Sequence, residues 1–248
     1  MRSMDLKTWA MSRPQLGTLL TIDHPTVMEV ARFAGFDWLW VDAEHGRYNE
    51  QSAALCSAIC SGGPPVFVRI PDHASTTIQR YLDAGCAGLI VPQVSTVEEV
   101  DAIANAALYP PRGRRSVGIA RAQGYGSRFT EALTNQDYAI LVQIETVSGV
   151  ENARSILRHS AVDGVIIGPY DLSGSFGIPG QIDAPQIASA ISSIKSIANE
   201  AGKPCGIFAA SAEKARIYAD AGFSLIGAGI DSNILLNAYS ALRRDFSR

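Results

Sequence analysis

The 248-residue sequence predicts a TIM (β/α)8 barrel, a single domain over residues 1–248 with a short N-terminal helix in front of the barrel. Two observations predict this fold. Short runs rich in β-branched residues alternate with amphipathic segments, and several of those segments end in glycine just before the next run, where a helix C-cap is expected. The alternative, a doubly wound open sheet, usually has fewer strands and a GxGxxG motif after the first one, and that motif is missing here.

The elements follow in order from these patterns. Apolar runs such as QLGTLL and PVFVRI predict strands at 15–20, 37–42, 65–70, 87–91, 139–145, 163–168, 204–209 and 223–229. Amphipathic stretches predict helices at 25–34, 49–60, 75–84, 96–107, 147–158, 184–201, 212–221 and 231–246, and the short first helix falls within 1–13. The Pro-, Gly- and Arg-rich segment 109–135 is too long for a simple connection and is predicted to be a functional loop or a contact with a neighbour.

Composition excludes several classes of function. The formal net charge is −3 and the only basic cluster is Arg112, Arg114 and Arg115, so nucleic acid is not expected as a partner. No run of 18 apolar residues predicts a membrane span, and the first residues lack the apolar region of a secretory signal. The four cysteines show no CxxC spacing and are expected to be buried thiols in a reducing, cytoplasmic compartment.

Polar residues cluster where the predicted strands end, which is where a barrel places its chemistry. They are Asp42, Glu44, His45, Arg69, Gln93, Gln143, Glu145, Asp171, Ser173, Ser211 and Asp231. Asp231 reads as the N-cap of the last helix.

Some of these residues also have a purely structural interpretation. Asp171 is equally well placed to cap a helix, Arg69 to be an ion-pair partner, and His45 to be a loop histidine. Their joint placement at one mouth favours a functional site, because isolated buried charges are costly unless something neutralises them.

A metal ion is the natural neutraliser. Glu145 and Asp171 follow adjacent predicted strands, and Gln143 shares a face with Glu145, so these side chains can converge. Carboxylates without Cys or several His favour Mg²⁺ or Mn²⁺ over zinc. The four lysines lie in or beside predicted helices, away from the mouth, which disfavours Schiff-base chemistry and favours stabilisation of an enolate.

Eight motifs together resemble the HpcH/HpaI aldolase family, whose members are class II, metal-dependent, pyruvate-forming aldolases such as 4-hydroxy-2-oxoheptanedioate aldolase. The resemblance runs from about residue 15 to 240 and rests on VDAEHG, VRIP, RYLDAG, VPQVSTVEEV, YPPRGRRSVG, LVQIETVSGVEN, DGVIIGPYDLS and GKPCGIF. The pair QIET and GPYDLS is the specific part of it.

The resemblance implies roles for individual residues. Glu145 and Asp171 would bind the divalent metal, Mg²⁺ or Mn²⁺ with Co²⁺ as a further candidate, and Gln143 would contact bound pyruvate. The backbone of Gly168, Pro169, Tyr170 and Asp171 would hold the pyruvate carboxylate at a helix start. Tyr170 stands where alanine is usual in the family, which bears on the aldehyde pocket.

Three further residues would act on the reacting groups. Arg69 would stabilise the enolate oxygen, and His45 would transfer protons through a water molecule. Asp83 matches the aspartate that raises the basicity of this histidine in family members. It lies near the end of the third barrel helix, opposite the mouth, so it would reach His45 more easily from a neighbouring subunit. The resemblance also implies a homo-oligomer, commonly a hexamer built from dimers that exchange the last helix.

The resulting prediction is an aldehyde-lyase that reversibly cleaves a 4-hydroxy-2-oxo acid to pyruvate and an aldehyde through a metal-bound enolate. Oxaloacetate decarboxylation would use the same enolate. A CoA-thioester lyase of the citrate-lyase β-subunit type is a second hypothesis, with the arginine cluster at 112–115 as its nucleotide groove. A non-catalytic binding barrel is the third.

Overall fold

Eight parallel strands close into a barrel in the computed structural model, which describes residues 6–246. Each strand pairs with the next one along the chain, and the last pairs with the first. The strands are Gln15–Leu20 (β1), Trp38–Asp42 (β2), Val66–Arg69 (β3), Gly88–Val91 (β4), Ala139–Ile144 (β5), Gly164–Ile167 (β6), Cys205–Ala209 (β7) and Leu225–Ile230 (β8). The predicted TIM barrel is confirmed, and the open-sheet alternative is wrong.

Helices surround the barrel over the described part of the chain. They are Leu6–Ser12 (α1), Pro25–Phe33 (α2), Glu50–Ile59 (α3), Ser75–Asp83 (α4), Val97–Ala107 (α5), Phe129–Thr134 (α6), Val147–Arg158 (α7), Pro169–Ser175 (α8), Pro185–Glu200 (α9), Ala212–Asp220 (α10) and Asp231–Phe246 (α11). Part of the expected first helix, residues 1–5, lies outside the described residues. The segment predicted as a loop at 109–135 contains a 3-10 turn, Arg121–Gly126, as well as α6.

Side-chain chemistry sets the ends of these helices. The α5 helix begins at a capping box in which the Thr96 hydroxyl accepts from the Glu99 N–H, while the Glu99 carboxylate accepts from the Thr96 N–H. Gly35, Gly85, Gly202 and Gly222 follow helices with φ of +84°, +75°, +64° and +80°. These left-handed conformations suit glycine, so the predicted glycine C-caps are confirmed.

The barrel interior is filled by large side chains at the end where the strands begin. The Trp38 and Trp40 rings lie 5.8 Å apart, and Trp9 of α1 stacks on Phe67 at 6.5 Å. Full burial of one such side chain stabilises the fold by roughly 1.5–3 kcal/mol. Helix α1 therefore closes the bottom of the barrel, and the mouth at the other end remains open.

A second apolar layer lies between the strands and the surrounding helices. The four cysteines are free and buried, as their spacing predicted. Within residues 6–246, no helix is both long enough and apolar enough to cross a membrane.

Helix α11 differs from the other long helices because Asp231 is its only buried residue. The Asp231 carboxylate accepts hydrogen bonds from the N–H groups of Thr21 and Ile22 at 2.9 Å, which ties the helix start to the connection after β1. Beyond that anchor, Leu235, Tyr239, Leu242 and Phe246 form an exposed apolar stripe, with Leu235 the least exposed of the four. Asp231, which was predicted to be the N-cap of this helix, is its first residue, and its carboxylate binds the connection after β1.

Candidate active site at the barrel mouth

A cavity of about 460 Å³ opens at the mouth, where the strands end. Its polar lining comes from His45, Arg69, Gln143, Asp171 and Asn233, and its apolar lining from Leu19, Trp40, Tyr170, Phe208 and Ile230. Seven of the nine predicted site residues line it, Gly168 and Pro169 among them. The other two are Glu145, which lies buried next to Gln143, and Asp83, which lies elsewhere.

Arg69 is held in a buried network of charges. It is the direct partner of Asp42 in the register of β3 and β2, so both side chains point to the same side of the barrel wall. Its Nε and Nη2 atoms donate to the Asp42 carboxylate at 2.9 and 2.7 Å, and its Nη1 atom lies 3.1 Å from Glu44 Oε2. Arg69 is therefore an ion-pair partner and a cavity residue at once.

The charge on Arg69 is maintained by these neighbours. Burial alone would lower its pKa, but the hydrogen bonds and charge of Asp42, together with the charge of Glu44, raise the pKa overall. The guanidinium also lies 5.6 Å from the Trp40 ring centroid, a favourable position for a cation. The bidentate pairing fixes its orientation toward the cavity.

Gln143 and Glu145 point into the barrel mouth from the end of β5. The Gln143 amide donates to the Glu145 carboxylate, and the backbone N–H of Gln93 donates to the other Glu145 oxygen at 2.9 Å. The cap of α7 is instead Thr146, whose hydroxyl accepts from the Gly149 N–H. Glu145 is thus a buried carboxylate beside the cavity and not a helix cap.

The backbone at Gln93 takes an unusual conformation to make this contact. Its φ is +55°, in the left-handed region that costs a residue with a Cβ roughly 1–2 kcal/mol. This conformation accompanies the hydrogen bond from its N–H to Glu145. Such strain is found mainly where the surroundings impose it, as they do at functional sites.

The start of α8 completes this side of the mouth. In the register of β5 and β6, Ile144 lies beside Ile167, so Glu145 and Gly168 follow at the same level. A Cβ at position 168 would lie 2.5 Å from Glu145 Oε2, so only glycine leaves room for this carboxylate. Gly168 is also the N-cap residue of α8, so Asp171 in the first turn is not a cap.

Glu145 has an unusual acidity. Burial raises its pKa to about 7, the charge of Asp171 adds to this rise, and the Gln143 and Gln93 hydrogen bonds oppose it. A buried carboxyl with a raised pKa needs a positive charge beside it to be fully ionised at neutral pH.

We expect metal-free protein to lose stability as the pH rises. The Glu145 carboxyl has a pKa of 4.5 in its ordinary state and about 7 in the folded protein, so between these values the folded state binds more protons than the unfolded state. Its stabilising contribution is fully present below pH 4.5 and is lost through pH 7, a loss of about 3 kcal/mol. Urea unfolding in EDTA at pH 4 and 8 measures this loss. An equal loss in Glu145→Gln would contradict this assignment.

The structure does not join Asp83 to His45 within one chain. His45 is exposed at the rim, with Nε2 3.8 Å from Glu44 Oε2. Asp83 ends α4 at the opposite end of the barrel, where its carboxylate pairs with Arg115 at 2.5 Å. The dyad that the resemblance implies therefore requires a second subunit.

The donor groups at the mouth suit one kind of metal ion. Within residues 6–246, no cluster of three or more His, Cys, Asp or Glu has the arrangement of a metal site. Mg²⁺ and Mn²⁺ need only one or two protein carboxylates, since water and substrate oxygens supply the other ligands. The buried Gln143 Oε1 lacks a hydrogen-bond partner, which leaves an acceptor for a bound group. Glu145 and Asp171 fit such an ion and do not fit zinc.

No described lysine lines this cavity. Lys195 and Lys214 lie on α9 and α10, and Lys203 donates to the His159 carbonyl before β7. An imine to a substrate carbonyl would need a lysine within reach, so the described side chains point to chemistry without one.

Sequence reasoning missed two parts of the site. It placed Asp42 and Glu44 at the mouth without recognising them as the partners of Arg69, because the pairing depends on the register of β2 and β3, which only the structure shows. It also missed the apolar wall of Leu19, Phe208 and Ile230, because these residues look like ordinary core residues in a strand pattern.

Comparison with known proteins shows that the chain is similar to aldolases. Residues 15–238 match the family model described as HpcH/HpaI aldolase/citrate lyase. The chain is 34% identical over 246 residues to a 4-hydroxy-2-oxovalerate aldolase of Rhodococcus jostii, which covers 98% of this chain and 95% of that protein. It is 37% identical over 239 residues to a hydroxypyruvate/pyruvate aldolase of Deinococcus radiodurans, covering 94% and 86%.

A solved structure shares the architecture. The crystal structure of an HpcH/HpaI aldolase/citrate lyase family protein from Burkholderia cenocepacia superposes with a TM-score of 0.93 at 28% identity, covering 98% of this chain and 99% of that one.

Proposed function

Since the chain belongs to the HpcH/HpaI aldolase/citrate lyase family, we propose that it is a class II aldolase that uses a divalent metal to cleave a 4-hydroxy-2-oxo acid reversibly to pyruvate and an aldehyde. One observation carries the proposal. Gln143, Asp171, Arg69 and His45 come from four different strand ends and line one cavity, and Glu145 lies buried beside Gln143.

Glu145 and Asp171 are the residues that would hold the metal, Mg²⁺ or Mn²⁺, with Co²⁺ as a further candidate. When bound, the ion would supply positive charge that stabilises the anionic oxygen of the 2-oxo acid. The raised pKa of Glu145 supports this role, because a cation would favour the ionised carboxylate.

The remaining residues orient the pyruvate half. Gln143 has an amide oxygen free to contact the substrate. The first N–H groups of α8 have no side-chain cap and would receive the pyruvate carboxylate. Arg69, held by Asp42 and Glu44, would place its guanidinium against the oxygen on which negative charge develops.

The bond cleavage follows from these positions. His45 at the rim would take the proton of the substrate's 4-hydroxyl through a water molecule. The C3–C4 electron pair then passes into the enolate as the aldehyde leaves, and protonation at C3 gives pyruvate. Oxaloacetate decarboxylation would give the same enolate and is expected as a side activity.

Metal removal tests this proposal. Protein treated with EDTA and dialysed is expected to lose pyruvate release from a 4-hydroxy-2-oxo acid, and added Mg²⁺ or Mn²⁺ is expected to restore it. A coupled assay of pyruvate measures the change, with circular dichroism as the control for folding. Full activity in the metal-free protein would remove the metal from the mechanism.

The CoA-thioester alternative gains no specific support from the arginine cluster. Arg115 is buried, stacks on Tyr109 at 4.6 Å and pairs with Asp83. The cluster follows the end of α5, so it lies at the end of the barrel opposite the cavity. Binding to CoA-agarose discriminates the two functions, and a thermal-shift response to Mg²⁺ plus pyruvate discriminates both from a non-catalytic barrel.

Assembly into an oligomer is part of the proposal. The apolar stripe of α11 exposes Tyr239, Leu242 and Phe246 by 67%, 71% and 88%, which a second subunit would cover. We expect Tyr239→Asp with Leu242→Asp to reduce the assembled mass, measured by size-exclusion chromatography with light scattering. Asn237→Asp, on the opposite face of α11, is the control. An unchanged mass in the double variant would exclude this face from the interface.

A further inference from the structure

One wall of the mouth cavity takes no part in the reaction steps described above. It consists of Leu19, Tyr170, Phe208 and Ile230, and the Tyr170 and Phe208 ring centroids lie 6.0 Å apart. The pyruvate half is assigned to Gln143, Glu145 and the start of α8, so this wall faces the half of the substrate that leaves as the aldehyde.

Resting on the aldolase function proposed above, we propose that the aldehyde is uncharged and apolar beyond its carbonyl group, an aliphatic or aromatic aldehyde. The apolar wall is the first support for it. A hydrocarbon chain or ring against these side chains would be removed from water, at about 25 cal/mol for each Å² of apolar surface buried. A carboxylate in the same place would lose its hydration without a partner.

The charges around the cavity also favour an uncharged aldehyde. The carboxylates of Asp42, Glu44 and Glu145 act on the charge of Arg69, and a fourth carboxylate, that of Asp171, acts on Glu145. A bound divalent cation leaves one excess negative charge when all four are ionised, and the carboxylate of pyruvate adds another. A second substrate carboxylate would therefore enter a region of negative potential.

No described side chain on the apolar wall can offset that charge. Arg69 is already paired with Asp42 and Glu44, and His45 is on the rim next to Glu44. Asn233 of α11 is a polar lining residue that the reaction steps do not use, and it is an uncharged amide. Lys214 interacts electrostatically with Tyr170, but its ammonium group is paired with Asp183 and does not line the cavity. The wall can therefore accept a hydrocarbon, or a hydroxyl at Asn233, but none of its own side chains is a cation.

A pair of aldehydes of equal length tests the proposal. Butanal and succinic semialdehyde each have four carbons and differ in the terminal carboxylate. In the synthetic direction, C3 of pyruvate loses one proton and bonds to the carbonyl carbon, and the carbonyl oxygen gains one proton. With pyruvate and Mg²⁺ or Mn²⁺, we expect kcat/KM for butanal to exceed that for succinic semialdehyde by about tenfold or more, with the aldol products measured by mass spectrometry. An equal value or a preference for succinic semialdehyde would overturn the proposal.

A variant that places a positive charge on the apolar wall tests whether this wall contacts the aldehyde. Ile230→Lys is expected to shift the butanal to succinic semialdehyde ratio of kcat/KM toward the acid by about tenfold. Ile217→Lys, an exposed isoleucine on α10 outside the cavity, is the matched control and should leave the ratio unchanged. A ratio that does not move in Ile230→Lys would show that this wall does not contact the aldehyde.

Exchange of the pyruvate methyl protons separates the two proposals. The exchange, followed by NMR in D2O with Mg²⁺ or Mn²⁺, requires enolisation of pyruvate and no aldehyde. Without exchange, the aldolase function fails and the aldehyde class fails with it. Exchange together with a preference for the charged aldehyde overturns the aldehyde class alone.

Discussion

Replacing Glu145 with glutamine is expected to reduce kcat by about a thousandfold and to leave the protein folded. The variant keeps the size of the side chain and removes the charge that would hold the metal. It also retains an oxygen for the Gln93 N–H, which lies 2.9 Å from the present carboxylate. If the Gln143 amide rotates by half a turn, its Oε1 atom, which now lacks a partner, can accept a hydrogen bond from the NH2 group of the new glutamine. Exchange of the pyruvate methyl protons measures the loss of catalysis. Electron paramagnetic resonance of Mn²⁺ measures the loss of metal binding.

The control for this variant is Glu151→Gln. Glu151 lies exposed on α7, a few residues farther along the chain, so its neutralisation should affect neither exchange nor Mn²⁺ binding. Glu145→Gln with normal Mn²⁺ affinity and normal exchange would show that the ion, if required, is held elsewhere. Loss of exchange with normal Mn²⁺ affinity would instead contradict the ligand role and leave Glu145 a role in catalysis.

Replacing Arg69 is expected to have two separate effects. Arg69→Ala should reduce kcat by about a thousandfold because the developing oxyanion loses its charged partner. It should also destabilise the fold by roughly 3–5 kcal/mol, because Asp42 and Glu44 are left without their cation in a buried site. A lower kcat in Arg69→Ala alone would therefore not distinguish the loss of a catalytic group from partial unfolding of the protein.

Arg69→Lys separates these effects. It keeps the positive charge near Asp42 but cannot reproduce the two parallel hydrogen bonds of 2.9 and 2.7 Å. We expect most of the stability to remain, as measured by urea unfolding, while kcat falls by about a hundredfold. Arg80→Lys, in the exposed pair with Glu50, is the control for the substitution itself. Normal turnover in Arg69→Lys would exclude the oriented guanidinium from the mechanism.

The regular elements were predictable because each one repeats a pattern. The strands match their apolar runs to within about two residues, and α7 falls at its predicted residues 147–158. The α6 and α8 helices have six and seven residues, too few for an amphipathic period to stand out. The α8 segment also begins at a proline in a loop-like sequence.

The sequence predicted which residues lie at the site better than it predicted the hydrogen bonds and ion pairs between them. Strand ends in a barrel converge, so Glu145, Asp171 and Arg69 could be assigned to one mouth from their positions in the sequence. The pairing of Arg69 with Asp42 depends on the register between two strands, and the hydrogen bond to Glu145 depends on the left-handed backbone of Gln93. Neither property is encoded in a local pattern.

Helix α11 contributes Asn233 to the cavity, yet most of its side chains are exposed in the described part of the chain. Its anchor at Asp231 fixes the start, while the apolar stripe would be fixed by a neighbour. Helix α11 would then contribute both to the contact between subunits and to the cavity that selects the aldehyde. In evolution, a mutation that moves this helix at the subunit contact would also change which aldehydes the cavity accepts.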